Sequence, residues 1–253
     1  MQPLLKVQAL NKMINVRAGL LSHKKVSLLK DISFCIGQGE TLAVIGETGA
    51  GKSTLAKVLA GADEVSSGQI ILESELIKDG PKHLGDSSAI RLIFQDPTTS
   101  LNPALTIEET LDDCLRFNTK LSAAERLEKI KQTLSKVGLL VEHRHYYPHM
   151  FSGGQLQRVA LARALILDPK VLVLDEALSS LDPSVRAQTV NLLLELQRES
   201  GLSYVLITHH LSLVKHMSDQ VMVLDHGEVV EYGNTREIFT NPQSKTCQRL
   251  LTC

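Results

Sequence analysis

Short apolar runs and helical stripes alternate along this chain. Leu42 to Ile45 is one such run, followed at once by a glycine-rich loop. Residues 53–60 then carry helical character, and Gly61 supplies a C-cap. Ser66-Ser67-Gly68 reads as a turn ahead of a strand-like Gln69 to Leu72. Further on, Ser122 and Glu125 have capping-box spacing. Leu127, Ile130, Leu134 and Val137 recur at helical intervals after them, and Gly138 closes that helix. A second helix is predicted from near Gly154 to just before Pro169, so residues 96–165 read as mainly helical. Val171 to Leu174 is a continuous apolar run ending in Asp175-Glu176, which suits a strand buried on both faces. Tyr204 to Ile207 and Gln220 to Leu224 are two more, each with a helix-like segment before it. Strands alternating with helices predict an α/β fold with a parallel sheet, whose ligands gather at the C-terminal strand ends.

Composition narrows the class. A chain of 253 residues with 43% apolar and 22% charged residues is long enough for a large core and too apolar for disorder. The 27 basic residues are balanced by 28 acidic ones, aromatics are 4% and Trp is absent, so no nucleic-acid partner is expected. The longest stretch without Asp, Glu, Lys or Arg, Ser200 to Val214, is too short and polar to span a bilayer, and the first residues do not form a secretory signal. A cytosolic chain is expected. Its cysteines (Cys35, Cys114, Cys247, Cys253) are scattered without a Cys-x-x-Cys pair, and Cys247 with Cys253 alone is too few for a four-ligand metal site.

The loop after Ile45 carries the first chemistry. Gly46-Glu47-Thr48-Gly49-Ala50-Gly51-Lys52-Ser53, leading into Thr54, fits G-x-x-x-x-G-K-[ST]. Its glycines let backbone N–H groups turn inward around phosphate oxygens. The following helix adds the positive end of its dipole. Lys52 can reach the β- and γ-phosphates, and the Ser53 hydroxyl can ligate Mg²⁺. A flexible glycine turn would need neither the strand before it nor the helix after it.

Two further segments complete the pattern. Asp175 at the end of an apolar strand can hold Mg²⁺, directly or through water, leaving Glu176 to polarise an attacking water as general base. Alone, an Asp-Glu pair there reads equally as a solvated loop. Phe151-Ser152-Gly153-Gly154-Gln155 reads as a capped helix start, and the same geometry presents N–H groups, a hydroxyl and a helix dipole to an anion. Two such sites cannot both serve one γ-phosphate from the same side. A dimer resolves this, with the second segment closing over a nucleotide held by the partner.

In order along the chain, the phosphate loop, Gln95, the Ser-Gly-Gly-Gln segment, Asp175-Glu176, Ser180-Leu181-Asp182 and His209 resemble the ATPases of ABC transporters. Phe94-Gln95-Asp96-Pro97 followed by Ser100-Leu101-Asn102-Pro103 is similar to the oligopeptide, dipeptide and nickel importer subgroup, as are Tyr146-Tyr147-Pro148-His149-Met150, Asp175-Glu176-Ala177-Leu178 and Ile207-Thr208-His209. The resemblance implies a P-loop NTPase core, residues 1–94 and 166–253, with a parallel sheet and an antiparallel β subdomain. Residues 95–165 would form a helical signature subdomain. It implies ATP and Mg²⁺, with Gly46 to Thr54 around the nucleotide and Ser53, Gln95 and Asp175 near the metal. Lys52, Gln95, Glu176 and His209 would be catalytic. Ser152, Gly153, Gly154 and Gln155 would contact ATP across a dimer, and Asp182 would lie in the loop linking the two sites. Asp182 alone also reads as an N-cap before Pro183. Implied partners are two transmembrane permease subunits, a sister ATPase or a second copy, and indirectly a periplasmic binding protein. The chain would lie peripherally on the cytoplasmic face of a bacterial inner membrane and power peptide import.

The chain departs from the family in several places. The usual aromatic residue upstream of the phosphate loop is absent: no Phe, Tyr or Trp occurs between Met1 and Ser33, and His23 is a weak substitute. His210 stands where the family usually has Asp, and Phe151 where it usually has Leu. Residues 241–246 are a degraded form of the subgroup's C-terminal docking segment. Only 123 positions separate Lys52 from Asp175, which leaves no room for the long coiled-coil insertion of repair ATPases, and one cassette is not the two of translation types. A regulatory subunit that binds ATP without hydrolysis is disfavoured by Glu176 and His209.

Overall fold

The computed structural model describes residues 2–17, 23–85, 87–94 and 101–252. Gln95 with Asp96, Pro97 and Ser100 lies outside the described residues, as does the His23 side chain. The chain opens with β1 (Leu5–Arg17), β2 (His23–Ile36), β3 (Thr41–Gly46), α1 (Lys52–Leu59), β4 (Ser67–Leu72), β5 (Glu75–Asp79), β6 (Lys82–His83) and β7 (Ile90–Ile93). A helical stretch follows, α2 (Ile107–Asn118), α3 (Ala123–Lys136) and α4 (Gly153–Leu165). The remainder is β8 (Val171–Asp175), α5 (Pro183–Ser200), β9 (Ser203–Ile207), α6 (Leu211–Met217), β10 (Gln220–Asp225), β11 (Glu228–Asn234), α7 (Thr235–Thr240) and α8 (Lys245–Thr252).

These strands form two sheets. One is antiparallel, in the order β2-β1-β4-β5-β6; the other runs β11-β10-β3-β9-β8-β7. In the second every pair is parallel except β10–β11, an antiparallel edge that the apolar runs do not announce because β11 alternates exposed and half-buried positions. The phosphate-loop strand β3 lies in the middle, flanked by strands from much later in the chain.

Side-chain alternation assigns the two faces of this sheet. Leu42 and Val44 of β3 and Val171 and Val173 of β8 join Leu5, Leu10, Leu29 and Ile32 of the antiparallel sheet, with Leu55 and Val58 of α1 between. Leu172 and Leu174 point the other way, to Leu193, Tyr204 and the helical stretch through Leu111, Leu134 and Val159. The Tyr204 hydroxyl, fully buried, donates to the Leu193 carbonyl at 2.7 Å. Ala43, Ile45, Val221 and Val223 pack on Ile238 and on Cys247 of α8.

The helix signals are realised closely. Ser122 and Glu125 form the capping box of α3, and Ile130, Leu134 and Val137 are buried. Gly138 follows with φ of +73°, and Gly61 after α1 with +72°. Ser66-Ser67-Gly68 is corrected: β4 already begins at Ser67. Gly68 has φ of +101°, and a Cβ there would lie 2.4 Å from the Ala9 carbonyl oxygen, where β1 bulges. The glycine therefore permits close strand approach instead of a turn.

Candidate functional site

The loop from Gly46 to Ser53 leaves the C-terminal end of β3 and enters α1. Three of its glycines adopt positive φ, Gly46, Gly49 and Gly51. At Gly51, with φ of +105°, an added Cβ would come within 2.8 Å of the Leu28 carbonyl. Beside Gly49 lies open space, which keeps the concave side of the loop accessible. The Lys52 ammonium lies across this concavity and donates to the Gly46 carbonyl at 2.7 Å and the Glu47 carbonyl at 2.8 Å. Burial lowers the Lys52 pKa, opposed by the nearby charges of Glu176 and Asp175. A cation held this way can exchange carbonyl partners for phosphate oxygens without moving off the loop.

The end of β8 faces the loop. Ser53 Oγ donates to Asp175 Oδ1 at 3.2 Å. Burial pushes the Asp175 carboxyl up, and the Ser53 hydrogen bond only partly offsets it. A half-satisfied buried carboxylate beside a hydroxyl is an oxygen donor set that suits a hard divalent cation. Glu176 follows with φ of +52°, a left-handed conformation sparsely used by non-glycine residues. Its backbone N–H donates to the Ile207 carbonyl at 3.0 Å, fixing the turn to the end of β9. One carboxylate oxygen accepts from Ser179 Oγ, and the other lies 3.0 Å from His209 Nδ1. Glu176 is thereby oriented from two sides while the His209 ring remains exposed.

Lys52, Ser53, Thr54, Asp175, Glu176 and His209 line one pocket of about 850 Å³, with Val26, Leu28, Lys30 and His226 forming another part of its wall. That wall carries no Phe, Tyr or Trp among the described residues. The Gly227 N–H donates to the Ala50 carbonyl at 3.0 Å, so the β10–β11 turn braces the loop. On the outer side Arg249 of α8 pairs with Glu47 at 3.2 Å, and Thr246 donates to Asp225 at 2.8 Å.

The Ser-Gly-Gly-Gln segment does not line this pocket. Ser152 is the N-cap of α4, with Gln155 completing a capping box. Gly153 is open to solvent, and an added Cβ at Gly154 would lie 2.7 Å from Val185 Cγ1. The dipole end and Gly153 thus face outward on the described chain, while Gly154 lies against Val185 of α5. Asp182 is at the N-cap position of α5, with Pro183 at N1, yet its side chain makes no capping bond. The loop before it is held by Arg186, which donates to the Ser179 carbonyl at 3.3 Å and the Leu181 carbonyl at 2.9 Å.

Sequence reasoning missed Ser179, Arg186 and Arg249. Ser179 lies three positions past Glu176 and was findable as a local turn partner. Arg186 acts on backbone carbonyls five and seven positions earlier, Arg249 pairs with Glu47 across the fold, and no local pattern marks either.

Comparison with known proteins bears on family and fold. The ABC transporter family profile matches residues 29–179. The chain is 49% identical over 254 aligned residues, 99% of this chain and 93% of the relative, to the peptide transport system ATP-binding protein SapF of Salmonella typhimurium. It is as similar, at 49% and the same coverage, to an Escherichia coli K12 protein named the putrescine export system ATP-binding protein SapF. The dipeptide transport ATP-binding protein DppF of E. coli K12 is 44% identical, over 99% of this chain and 76% of that protein. Among solved structures, cbiO1 from Clostridium perfringens superposes with a TM-score of 0.76 at 31% identity, covering 95% and 92% of the two chains. A dimeric post-hydrolysis state of the cassette MJ0796, bound to ADP and Pi, gives 0.75 at 25% identity, covering 92% and 99%.

Proposed function

The chain belongs to the ABC transporter family of ATPases, and from that premise we propose that it powers peptide import as a peripheral subunit on the cytoplasmic face of a bacterial inner membrane. The carrying observation is the convergence of Lys52, Ser53, Asp175, Glu176 and His209 on one pocket at the C-terminal ends of β3, β8 and β9. Lys52 and the loop N–H groups from Gly46 to Thr54 hold the phosphates. Ser53 and Asp175, with Gln95 as the family resemblance implies, would hold Mg²⁺, and the ion would neutralise phosphate charge when bound. Glu176 accepts a proton from the attacking water. His209 orients Glu176 through Nδ1 and directs its other nitrogen toward the γ-phosphate.

One chain makes half of each working site. Ser152, Gly153, Gly154 and Gln155 lie at an outward-facing helix start, which supports a partner cassette, a sister subunit or a second copy, with Asp182 at the joint. Cores of residues 1–94 and 166–253 then close with the helical residues 95–165. Two permeases dock, one on each cassette, at the groove of about 300 Å³ between Ala60, Arg91, Phe94, Cys114, Arg163 and Leu167. The wall without Phe, Tyr or Trp supports tolerance of the base, so GTP should be hydrolysed nearly as well as ATP. A second reading, export of a small polyamine, follows from the relative named for putrescine export. Reconstitution of this chain with its co-purified permeases separates the two. ATP-dependent uptake of labelled peptide, absent in Lys52→Ala, supports import. ATP-dependent putrescine efflux without peptide uptake would overturn it.

A further inference from the structure

The turn after β9 holds a second histidine that the reading above does not use. The His210 ring lies 4.2 Å from the His209 ring, centroid to centroid, tilted by 40°. Its backbone is fixed: the N–H donates to Thr208 Oγ1 at 3.1 Å, and the carbonyl accepts from Leu213 and Val214 at the start of α6. His210 Nε2 is nevertheless buried and has no hydrogen-bond partner among the described residues. The same is true of Nε of Arg186, whose Nη2 holds the loop carbonyls before Asp182. Few side-chain polar atoms in the described chain are buried and unsatisfied, and two of them belong to this one neighbourhood. They are chemically complementary: Arg186 Nε–H only donates, and a neutral imidazole nitrogen accepts.

We propose that His210 is a positioning residue, whose Nε2 accepts from Arg186 Nε–H when the site closes, joining the His209–Glu176 pair to the loop that carries Asp182. The proposal rests on the reading of Glu176 and His209 as the hydrolytic pair. Among the described residues both atoms stand unpartnered, and an unmade buried hydrogen bond favours any movement that makes it. Arg186 is anchored to the loop before Asp182, and His210 packs at a tilt against the ring that contacts Glu176. A shift of that loop on closure is therefore carried to His209 by two rigid groups.

The latch works only with His210 neutral, since a protonated ring donates and repels the guanidinium. The charged and titratable groups that act on it are His209 on the same turn, Arg186 on α5 and Glu176 after β8. Burial, His209 and Arg186 hold its pKa below the ordinary histidine value against the opposing effect of Glu176. Acidification should therefore release the latch only below the usual histidine range.

Two measurements test this. In the assembled ATPase, His210→Leu should lower kcat about tenfold with KM for ATP unchanged, the scale of one lost hydrogen bond of about 1.4 kcal/mol. His210→Gln, which restores an acceptor, should recover most of that loss and flatten the acid limb of the pH profile. Arg186→Lys should lose as much as His210→Leu, and the double variant no more than either. Additive losses, or equal rates for His210→Leu and wild type, overturn the latch. Independently of turnover, nitrogen NMR of the isolated chain should show His210 Nε2 unprotonated at neutral pH, and Arg186→Leu should raise its pKa. An Nε2–H tautomer overturns the proposal. Because this readout does not involve hydrolysis, failure of the latch is distinguishable from failure of the Glu176 assignment.

Discussion

Glu176→Gln isolates the proposed general base from everything else Glu176 does. Gln has nearly the same shape and can occupy the same left-handed backbone position, so the backbone bond to Ile207 is retained. Its amide oxygen can still accept from Ser179 Oγ. The amide nitrogen then faces His209 Nδ1, so a 3.0 Å contact survives with its donor and acceptor roles exchanged. What is lost is proton affinity. Positioned general bases contribute about 10²–10⁴-fold, or roughly 3–5 kcal/mol of barrier. Phosphate release from the assembled ATPase should fall by that factor. Nucleotide affinity, read by fluorescent ATP analogue, should stay within about threefold, and a nucleotide-stabilised dimer should accumulate on size exclusion. The melting temperature should move by no more than about 2–4 °C, the scale of 1 kcal/mol in a chain of this size. Turnover within tenfold of wild type would refute the assignment of Glu176, whatever the dimer does.

Asp175→Asn should raise the thermal stability of the nucleotide-free chain while removing Mg²⁺-dependent hydrolysis. Burial raises the folded-state pKa of this carboxyl, so its contribution to stability is present at low pH and lost as pH rises through that value. The gain from Asn should therefore be visible at neutral pH and vanish in acid, which thermal melts across pH will check. Tyr204→Phe removes the 2.7 Å bond to the Leu193 carbonyl, which keeps its helical partner within α5, and should cost about 0.5–1.5 kcal/mol in chemical denaturation with little effect on nucleotide affinity. The Cys247 thiol is pushed up to about 11, first by burial and then by Glu231. Iodoacetamide at pH 8 should therefore spare it until α8 detaches, and mass spectrometry of labelled peptides will show whether it does.

The motifs that carry chemistry were legible because each is local. The phosphate loop needs glycines, Lys52 and Ser53 in one unbroken run, and the buried strands β8, β9 and β10 need continuous apolar residues. The capping box at Ser122 and the N-cap at Ser152 are equally local and came out as read. The edge strand β11 escaped because half of its residues meet solvent. Gly68 was misread because its positive φ serves an approach to Ala9, nearly sixty positions earlier, instead of a reversal of its own chain. Arg186 escaped for a different reason: its partners are nearby backbone carbonyls, which leave no imprint on residue type.

The strand order has a consequence for how the protein is made. β3 and the phosphate loop leave the ribosome early, but both strands that flank β3 come from the last third of the chain. Val44 lies beside Met222, roughly 180 residues later, so at about 5–20 residues per second the loop's own strand waits some 10–40 s for its sheet neighbours. During that interval its apolar residues have only the antiparallel sheet and α1 to lie against. The nucleotide pocket therefore forms only after β10 has emerged, and ATP cannot serve as a folding template before that strand is made.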